Sequence, residues 1–338
     1  MKRLTIALAT LISGYSYAQE VHLHNQITEA NAIDVSSKLT TEESATDTLW
    51  RTNGNFGLNF SQVYLDNWAA GGQSSVSGTG FLSLAANYSK GKTTWDNTLD
   101  LAYGILRQGE AGDVIKTDDK IDFASKYGYK ATDNWYYSGL LNFRTQFAPG
   151  YTTTDGVQTD DLISDFLSPA YLLAAAGLDY KPNENFTAFI SPGTYKMTVV
   201  LDDNLADAGA FGVDAAEFND LGEKIADGEN IRLEIGGYLK AQYKTSLMEN
   251  VDLQTKIDLF SNYVKNPQNI DVNWETLITM KINKYLTTTI STQLLYDDDI
   301  DVIRNNSDVD ADGDLVNPDI GPAIQFKEVL SIGFSYKF

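Results

Sequence analysis

The sequence predicts an all-β chain, a transmembrane antiparallel up-and-down β-barrel of about 12 strands. Segments in which apolar and polar residues alternate recur along most of the 338 residues, and this period of two is typical of strands with one face in an apolar medium. No apolar run approaches the roughly 18 residues that a membrane helix needs. The links between the segments alternate between short and long, as is typical of outer-membrane barrels.

The composition agrees with this fold class. Aromatic residues make up 12% of the chain, with 19 Tyr and 26 Gly, and the mean hydropathy is -0.26. Because alternate residues of a spanning strand face water, hydropathy averages out, and a negative mean is no argument against a membrane protein. The chain has no cysteine, which excludes disulfides, Cys-ligated metals and thiol catalysis.

The first residues predict export from the cytoplasm. A short basic region, Met1 to Arg3, precedes the apolar run Leu4 to Ile12, and Ala18 is a small residue at the position of a cleavage site. Residues 1–18 are therefore predicted to be a signal peptide. Residues 19–49 are polar and have no sustained period, so they predict a flexible periplasmic leader. Residues 50–338 then form the barrel.

The first five strands are predicted from regular alternation. Residues 94–106 show it well, with Leu99 and Leu101 on the apolar face and Thr98 and Asp100 on the polar face. Each segment has the roughly 9 to 11 residues that a tilted spanning strand needs. These five strands are predicted at residues 53–64, 76–89, 94–106, 120–130 and 135–147.

The sixth and seventh strands have the least regular pattern. Residues 172–178 are nearly all apolar, and Pro192 interrupts the seventh strand. A proline inside a strand marks a bulge or an edge, and a barrel has no edge, so a bulge is predicted near Ser191, Pro192 and Gly193. Ten or fourteen strands remain possible if one of these two is miscounted. The remaining strands are predicted at residues 170–181, 186–201, 231–245, 251–264, 272–282, 285–296 and 323–338.

The last strand predicts the location of the barrel. Its apolar face ends on Phe334, Tyr336 and Phe338, and an aromatic final residue resembles the carboxyl-terminal signal of outer-membrane barrels. We therefore expect the outer membrane of a Gram-negative bacterium. The partners expected there are membrane lipids and, during insertion, the barrel-assembly machinery.

The links between strands predict an orientation. Short links are expected at residues 90–92, 131–134, 182–185 and 246–250, and long links at residues 107–119, 148–169, 202–230 and 297–322. Outer-membrane barrels have short turns in the periplasm and long loops outside. With an even number of strands, both chain ends are then predicted to be periplasmic.

The charge of the chain bears on its function. The net charge is -21, and residues 202–229 and 297–319 together hold 18 of the 46 acidic residues. Nucleic acid is excluded as a partner because its phosphates require Lys and Arg. Two functions are expected: a narrow, cation-preferring channel for small solutes, or a non-conducting structural or accessory subunit of a larger envelope protein complex.

Enzymatic activity is not predicted. A serine hydrolase needs a base beside its nucleophile, and the only histidines, His22 and His24, fall in the leader. Two imidazoles in a mobile tail are also too few to predict a metal site. Asp96, Asp100, Asp122 and Asp258 face the lumen on this pattern, but cations face them, so ion-pair ladders are expected instead of paired catalytic carboxylates. These cations are Lys126, Lys130, Arg144, Arg232, Lys240, Lys244 and Lys256.

One acidic loop has the spacing of a calcium site. Calcium loops place oxygen ligands at positions one, three and five and a Gly at position six, and Gly313 has that place here. The twelfth position is Asp instead of the usual Glu, and Pro318 and Pro322 prevent a following helix. A bound Ca²⁺ and a merely solvated acidic loop both remain open. The candidate ligands are Asp308, Asp310, Asp312, Asp314 and Asp319.

Several short motifs resemble a known family. They are Asn67-Trp68-Ala69-Ala70-Gly71-Gly72, Trp135-Tyr136-Tyr137, Thr145-Gln146-Phe147 with Gly150-Tyr151, and Ile190-Ser191-Pro192 with Lys196. They are similar to motifs of a Bacteroidota family of outer-membrane proteins known only as domain of unknown function 3078. The likeness extends from about Trp50 to the end of the chain, without the acidic loop of residues 297–319. It implies a localisation and a source but no activity and no functional residues.

Overall fold

Twelve antiparallel strands close into a single barrel in the computed structural model. The structure describes residues 49–64, 74–109, 112–154, 157–299, 302–303, 308–309, 315–317 and 320–338. Each barrel strand pairs with the next barrel strand along the chain, and the last pairs with the first. The predicted up-and-down barrel of twelve strands is therefore confirmed.

The barrel strands are labelled in chain order. They are β1 (Trp50–Val63), β2 (Ser75–Lys90), β3 (Thr93–Gln108), β4 (Val114–Lys130), β5 (Trp135–Thr145), β6 (Ala170–Tyr180), β7 (Phe186–Val199), β8 (Ile231–Met248), β9 (Val251–Asn262), β10 (Asp271–Lys281), β11 (Leu286–Tyr296) and β12 (Gln325–Lys337).

The long loops contain small elements of their own. The β5–β6 loop holds a hairpin of Gly150–Thr154 and Val157–Ser164. The β7–β8 loop holds the short helix α1 (Asp203–Asp207), a 3-10 turn at Ala210–Gly212, and the paired segments Glu217–Phe218 and Lys224–Ala226. In the β11–β12 loop, Val302–Ile303 pairs with Ile320–Gly321, and Asp308–Val309 pairs with Leu315–Asn317. None of the helices in the described ranges is long and apolar enough to cross a membrane.

The barrel wall has its apolar side chains outside and its polar side chains inside. On β1, Phe56, Leu58 and Phe60 are exposed, whereas Asn55 is buried. This follows from the period of two, since successive side chains of a strand point to opposite faces. The same division holds around the barrel. Exposed residues include Trp95, Tyr103, Tyr127, Tyr137, Ile190, Leu233 and Trp274, and buried polar residues include Ser83, Lys120, Asp179, Thr194, Glu234 and Glu275.

The two ends of the barrel differ in their connections. At one end, here called the turn end, the links are residues 91–92, 131–134, 181–185, 249–250 and 282–285. At the other, here called the loop end, they include residues 146–169, 200–230 and 297–324. Trp50 pairs with Tyr88 next to the first turn, and Phe338 pairs with Gly54, so both ends of the barrel domain lie at the turn end.

The predicted long link at residues 107–119 is wrong. β3 continues to Gln108 and β4 begins at Val114, because the acidic residues that suggested a loop lie inside the barrel. Asp118 and Asp119 are fully buried. The Asp119 carboxylate accepts hydrogen bonds from the backbone N–H groups of Phe147 at 2.7 Å and Ala148 at 2.9 Å. A buried carboxylate with such donors is compatible with a strand.

The predicted bulge in the seventh strand is confirmed. Gly236 and Tyr238 of β8 pair with Thr194 and Ser191 of β7, so β7 has one extra residue there. The kink brings β7 close to Gly177 of β6, where an added methyl group would lie 2.0 Å from the Ile190 carbonyl oxygen. The bulge thus requires a glycine opposite it.

Closure of the barrel rests on the contact between β1 and β12. Gly54 and Phe338 exchange backbone hydrogen bonds of 2.9 and 3.0 Å. The Phe338 ring lies over Gly54, so that a methyl group added to Gly54 would be 2.3 Å from the ring carbons. An aromatic ring that covers a glycine on a neighbouring strand shields the backbone and fixes the register.

The loop end has an apolar core of its own. Ile163 of the β5–β6 hairpin packs with Leu205, Phe211 and Val213 of the β7–β8 loop. Asp202 caps α1, its carboxylate accepting hydrogen bonds from the N–H groups of Asn204 and Leu205 at 3.0 Å each. These two loops therefore form one folded cap instead of two independent connections.

Four predictions fall wholly or partly outside the described residues. They concern the signal peptide, the leader with His22 and His24, the motif Asn67 to Gly72, and the calcium loop. Of the calcium candidates, only Asp308 belongs to a described segment, the short strand Asp308–Val309. Asp310, Asp312, Asp314 and Asp319 lie outside the described ranges, so this site stays a prediction.

Candidate functional site: the barrel lumen

Ion pairs fill much of the lumen, as the alternation predicts. Asp122 pairs with Arg144 at 3.1 Å and with Lys120 at 3.4 Å. Asp258 pairs with Lys240 at 3.5 Å and with Lys256 at 3.8 Å. The pairs Asp122–Arg144 and Asp258–Lys240 link neighbouring strands across the inner surface, whereas Lys120 and Lys256 each lie on the same strand as the carboxylate with which they pair. The predicted ion pairs are thus present at Asp122 and Asp258, whereas Asp100 lies opposite Asp122 and is hydrogen-bonded to Ser83.

The lumen near the turn end is occupied by a compact ionic group, here called the inner ion cluster, made of Lys126, Asp179 and Lys181. The Asp179 carboxylate is 2.8 Å from Lys126 Nζ and 3.1 Å from Lys181 Nζ, and its side chain is 1% exposed. Lys181 also lies 3.7 Å from Asp96 and 5.3 Å from the centroid of the Tyr136 ring. Two cations around one buried anion hold β4 and β6 together inside the lumen.

An apolar group lies farther along the lumen. Phe189, Tyr238 and Phe260 are buried together, and the ring centroids of Phe189 and Tyr238 are 6.3 Å apart. Tyr238 donates a hydrogen bond from its hydroxyl to Asp258, which joins this group to the ion pairs. These aromatic rings point into the lumen and take up part of its width.

Beyond the aromatic group, toward the loop end, the lumen widens into a cavity of about 240 Å³, here called the outer cavity. Its walls combine charged and aromatic side chains. Lys196 lies 3.3 Å from Glu234, 3.4 Å from Asp271 and 4.9 Å from the centroid of the Phe260 ring. Small-molecule sites have this combination of apolar surface and a few placed polar groups.

The roof of the outer cavity comes from the cap. Phe211 lines the cavity and has a left-handed backbone conformation, with φ 61° and ψ 20°. For a bulky residue this conformation is unfavourable by roughly 1–3 kcal/mol and persists only where packing imposes it. The Gly212 carbonyl accepts a hydrogen bond of 3.2 Å from Arg232, so the roof is fixed to the barrel wall.

A second loop joins the same arginine. Asp299 of the β11–β12 loop pairs with Arg232 and lies 3.3 Å from Lys265 of the β9–β10 loop. Burial raises the pKa of Asp299, but Arg232 and Lys265 outweigh it and hold the pKa of this carboxyl below its ordinary value. Arg232 and Asp299 therefore join three loops at the rim of the outer cavity.

The structure places the lumenal residues singled out in the sequence in different surroundings. Lys126 is in the inner ion cluster, and Arg144, Arg232, Lys240, Lys256 and Asp258 line the outer cavity. Asp100 accepts a hydrogen bond from Ser83. Lys130 pairs with Asp133 in a turn at 3.4 Å and not with a lumenal acid. Lys244 lies on the inward face of β8 and is not among the cavity residues.

Sequence reasoning missed several residues of the lumen. Asp179 and Lys181 end a strand whose apolar run obscured its alternation, and Lys196 follows the bulge that shifts the pattern of β7. Counting positions back from the next turn would have found Asp179, since it alternates with Leu178 and Tyr180. Phe211 has no such signal, because its place over the lumen depends on how the cap folds.

The family resemblance is borne out over part of the barrel. Residues 60–151 match the family described as Protein of unknown function (DUF3078). The matched segment begins inside β1 and ends in the hairpin after β5, and it includes the motifs at Asn67, Trp135 and Thr145. The motif at Ile190 lies outside it, and the Bacteroidota source stays a prediction. A search of curated proteins gave no match.

Several solved structures are similar to the barrel. The translocator domain of the autotransporter NalP from Neisseria meningitidis is 12% identical with a TM-score of 0.41, covering 96% of this chain and 99% of that one. An outer membrane channel from Pseudomonas putida F1 is 12% identical with a TM-score of 0.38, covering 88% and 100%. The NanC porin is 10% identical with a TM-score of 0.36, covering 85% and 100%. Likenesses this weak assign no function.

Proposed function

We propose that the protein is an integral outer-membrane barrel. The observation that supports this most is the inverted wall, with exposed apolar side chains outside and buried polar groups inside. Aromatic residues also cluster at the turn end. The ring centroid of Trp50 lies 5.3 Å from that of Tyr88 and 5.7 Å from that of Trp95. Trp and Tyr prefer the membrane interface. In this orientation the turn end and both ends of the barrel domain face the periplasm.

The membrane assignment is tested on the residue that covers the β1–β12 seam. Phe338→Asp places a charge on the outward face and removes the ring over Gly54, so assembly should be impaired. Heat-modifiable mobility on gel electrophoresis measures the folded fraction, with Lys92→Asp in the exposed β2–β3 turn as the control that introduces a carboxylate outside the membrane. A Phe338→Asp protein that purifies without detergent as a soluble folded monomer would contradict the membrane assignment.

Within the membrane, we propose a narrow, cation-preferring channel for small solutes, without enzymatic activity. The outer cavity supports it, since it is a widened part of the lumen lined by polar and charged groups. The β7–β8 loop supports the preference for cations, because residues 202–229 have nine acidic residues and one lysine at the loop end. A mouth of one charge concentrates ions of the opposite charge.

The ion preference is tested by the reversal potential in a KCl gradient across a planar bilayer. We expect cation preference, larger at about 0.01 M than at about 1 M salt, since the Debye length falls from about 30 Å to about 3 Å. The cation preference should be reduced in the triple variant Asp214→Asn, Glu217→Gln, Asp220→Asn. It should be unchanged in Glu184→Gln, which lies in a turn at the opposite end of the barrel. Anion preference of the wild-type protein would refute the proposal.

The second candidate is a non-conducting structural or accessory subunit of an envelope complex. The folded cap favours it, because Ile163, Leu205 and Phe211 pack into one core at the loop end and the inner ion cluster lies in the lumen near the opposite end. In that case the acidic loops serve as a contact surface for a partner protein. Absence of any conductance by a correctly assembled barrel would favour this candidate over the channel.

Calcium binding by the β11–β12 loop remains a separate proposal. Asp308, Asp310, Asp312, Asp314 and Asp319 would supply the oxygen ligands, and a weak affinity of roughly 10⁻⁴ to 10⁻³ M is typical of extracellular calcium modules. Ca²⁺ should protect the loop from proteolysis in the wild-type protein and not after Asp308→Ala with Asp312→Ala. Equal cleavage of the wild-type loop in calcium and in chelator would exclude the site.

A further inference from the structure

The outer cavity contains polar groups whose bonding capacity is not used within the described part of the chain. Most of its charged side chains are paired, as Lys196 is with Glu234 and Asp271. Three groups differ: the Asp297 carboxylate, the Lys240 ammonium and the Gln293 side-chain carbonyl. All three line the cavity.

The unused anion is Asp297. It follows the end of β11, and its carboxylate accepts one hydrogen bond of 2.9 Å from the backbone N–H of Asp299. Within the described ranges it has no lysine or arginine within ion-pair distance. Its neighbour across the strands, Asp271, already shares Lys196 with Glu234. Lys196 and Arg232 interact electrostatically with Asp297 from a greater distance, so an ammonium group entering the cavity would find a carboxylate that has no cation in direct contact among the described residues.

The underused cation is Lys240. Its Nζ lies 3.5 Å from Asp258, and its side chain is 38% exposed, the highest exposure among the lumenal ion pairs around the cavity. It donates no hydrogen bond to any residue that the structure describes, whereas Asp258 is already bonded to the Tyr238 hydroxyl. The Lys240 ammonium therefore keeps N–H donors for an anionic group of a ligand beside its ion pair with Asp258.

The most telling group is Gln293, because it is almost fully buried. Its side-chain nitrogen donates a hydrogen bond of 2.7 Å to Asn273, but its side-chain oxygen has no partner among the described residues, at 7% exposure. A buried acceptor without a donor costs roughly 1–3 kcal/mol. A ligand with an N–H donor at this position would satisfy it.

The size and the aromatic surface restrict the ligand further. A cavity of about 240 Å³ is near the lower end of the roughly 300–1,000 Å³ of small-molecule pockets, which suits a small metabolite and not an oligomer. Tyr238 and Phe260 provide an apolar surface beside the polar groups. The acidic mouth would repel a simple anion, whereas a molecule with both charges passes it with little net penalty.

We propose that the outer cavity is a binding site for small amide-containing zwitterions of the dipeptide class. The ligand's ammonium group pairs with Asp297, its carboxylate pairs with Lys240, and its amide N–H donates to the Gln293 carbonyl, with an apolar side chain against Tyr238 and Phe260. This inference deepens the proposed channel function and rests on it, since the ligand reaches the cavity through the outer mouth.

The test is isothermal titration calorimetry of the detergent-solubilised full chain with alanyl-phenylalanine. Two blocked probes each lack one charge: N-acetyl-alanyl-phenylalanine has no ammonium, and alanyl-phenylalanine amide has no carboxylate. We expect each to bind at least about tenfold more weakly than alanyl-phenylalanine, since a hydrogen bond to a charged group contributes about 1.5–3 kcal/mol and about 1.4 kcal/mol is a factor of ten. This comparison needs no variant, so it stays decisive even if a substitution impairs assembly.

Two variants test which residue binds the carboxylate of the dipeptide and which binds its ammonium group. Lys240→Met should weaken the binding of alanyl-phenylalanine about tenfold and leave the affinity of alanyl-phenylalanine amide unchanged. Asp297→Asn should also weaken the binding of alanyl-phenylalanine about tenfold, and it should leave the affinity of the acetylated probe unchanged. Lys244→Met, on the same face of β8 but outside the cavity, is the control and should leave all three affinities unchanged.

The proposal is overturned if the three probes bind with equal affinity, if none binds, or if Lys240→Met affects the dipeptide and the amide alike. These outcomes differ from failure of the channel. A barrel that conducts but does not bind the dipeptide refutes the site alone, and a barrel that binds the dipeptide but does not conduct refutes the channel alone.

Discussion

Both ends of the lumen contain Asp and Lys side chains, but the two ends differ in how far these charged groups pair with one another. In the inner ion cluster, Asp179 is buried against Lys126 and Lys181, and the charges satisfy one another. In the outer cavity, Asp297 and Lys240 line the same space without an ion pair between them. The difference teaches that a polar lumen is not in itself a binding surface, since only polar groups with unused capacity are available to a solute.

The largest expected effect comes from breaking the inner ion cluster. Asp179→Asn leaves Lys126 and Lys181, each 25% exposed, as like charges around a neutral amide, and removal of one partner from a buried ion pair costs roughly 3–5 kcal/mol. The free energy of unfolding, measured by urea titration with the heat-modifiable band as readout, should fall by that amount. The control is Asp133→Asn, since Asp133 is fully exposed and pairs with Lys130 at 3.4 Å. An exposed pair contributes at most about 1 kcal/mol, so equal losses would show that the cluster is not structural.

A smaller effect is expected at the β1–β12 seam. Gly54→Ala places a methyl group 2.3 Å from the Phe338 ring, and the ring must move, which typically costs about 1–3 kcal/mol. Gly78→Ala on β2 is the matched control, because a methyl group there is 3.8 Å from the nearest atom, the Asn59 carbonyl oxygen. The same unfolding titration compares them. If both substitutions are neutral, Phe338 does not fix the seam.

The smallest effect concerns the cap. A hydrogen bond from the Gly228 backbone, aided by Lys224, holds the pKa of Asp207 below its ordinary value. In the unfolded chain an Asp carboxyl has a pKa of about 3.9, and at a pH above this value the lower pKa in the folded protein stabilises the folded state. This contribution is lost as the pH falls through the lowered pKa of the folded protein. Asp207 is partly exposed, so solvent screening keeps the effect to roughly 0.5 kcal/mol or less.

Hydrogen exchange of residues 200–230, corrected for intrinsic rates, measures this pH dependence. Protection should decline toward about pH 3 in the wild-type protein and be lower but flatter in Asp207→Asn. Asp203→Asn in the same helix serves as the control for loss of one negative charge. Identical pH profiles of the wild-type protein and Asp207→Asn would show that Asp207 does not stabilise the cap.

The wall of the barrel is predictable from the sequence because each strand repeats one simple constraint. Alternation at Leu99, Asp100 and Leu101 reports which side chain faces outward, and Pro192 reports the bulge. The start of β4 was missed because Asp118 and Asp119 suggest a loop until their burial is known. A single sequence does not distinguish a solvated aspartate from one that accepts backbone hydrogen bonds inside a barrel.

The candidate site was predictable only in part. Arg232, Lys240, Lys256 and Asp258 follow from the inward period, but their neighbours across the lumen depend on strand tilt and stagger. The roof residue Phe211 depends on the fold of a loop that has no period to read. The unused capacity of Gln293 is likewise a property of the packed lumen and has no counterpart in its residue type.

The most direct test of the proposed function is the single-channel conductance of the assembled wild-type barrel in a planar bilayer. A lumen narrowed by the inner ion cluster and by Phe260, but still passable, predicts small, discrete conductance steps that a saturating concentration of alanyl-phenylalanine reduces. A correctly assembled barrel that shows no conductance steps would contradict the channel and leave the structural subunit as the function of this protein.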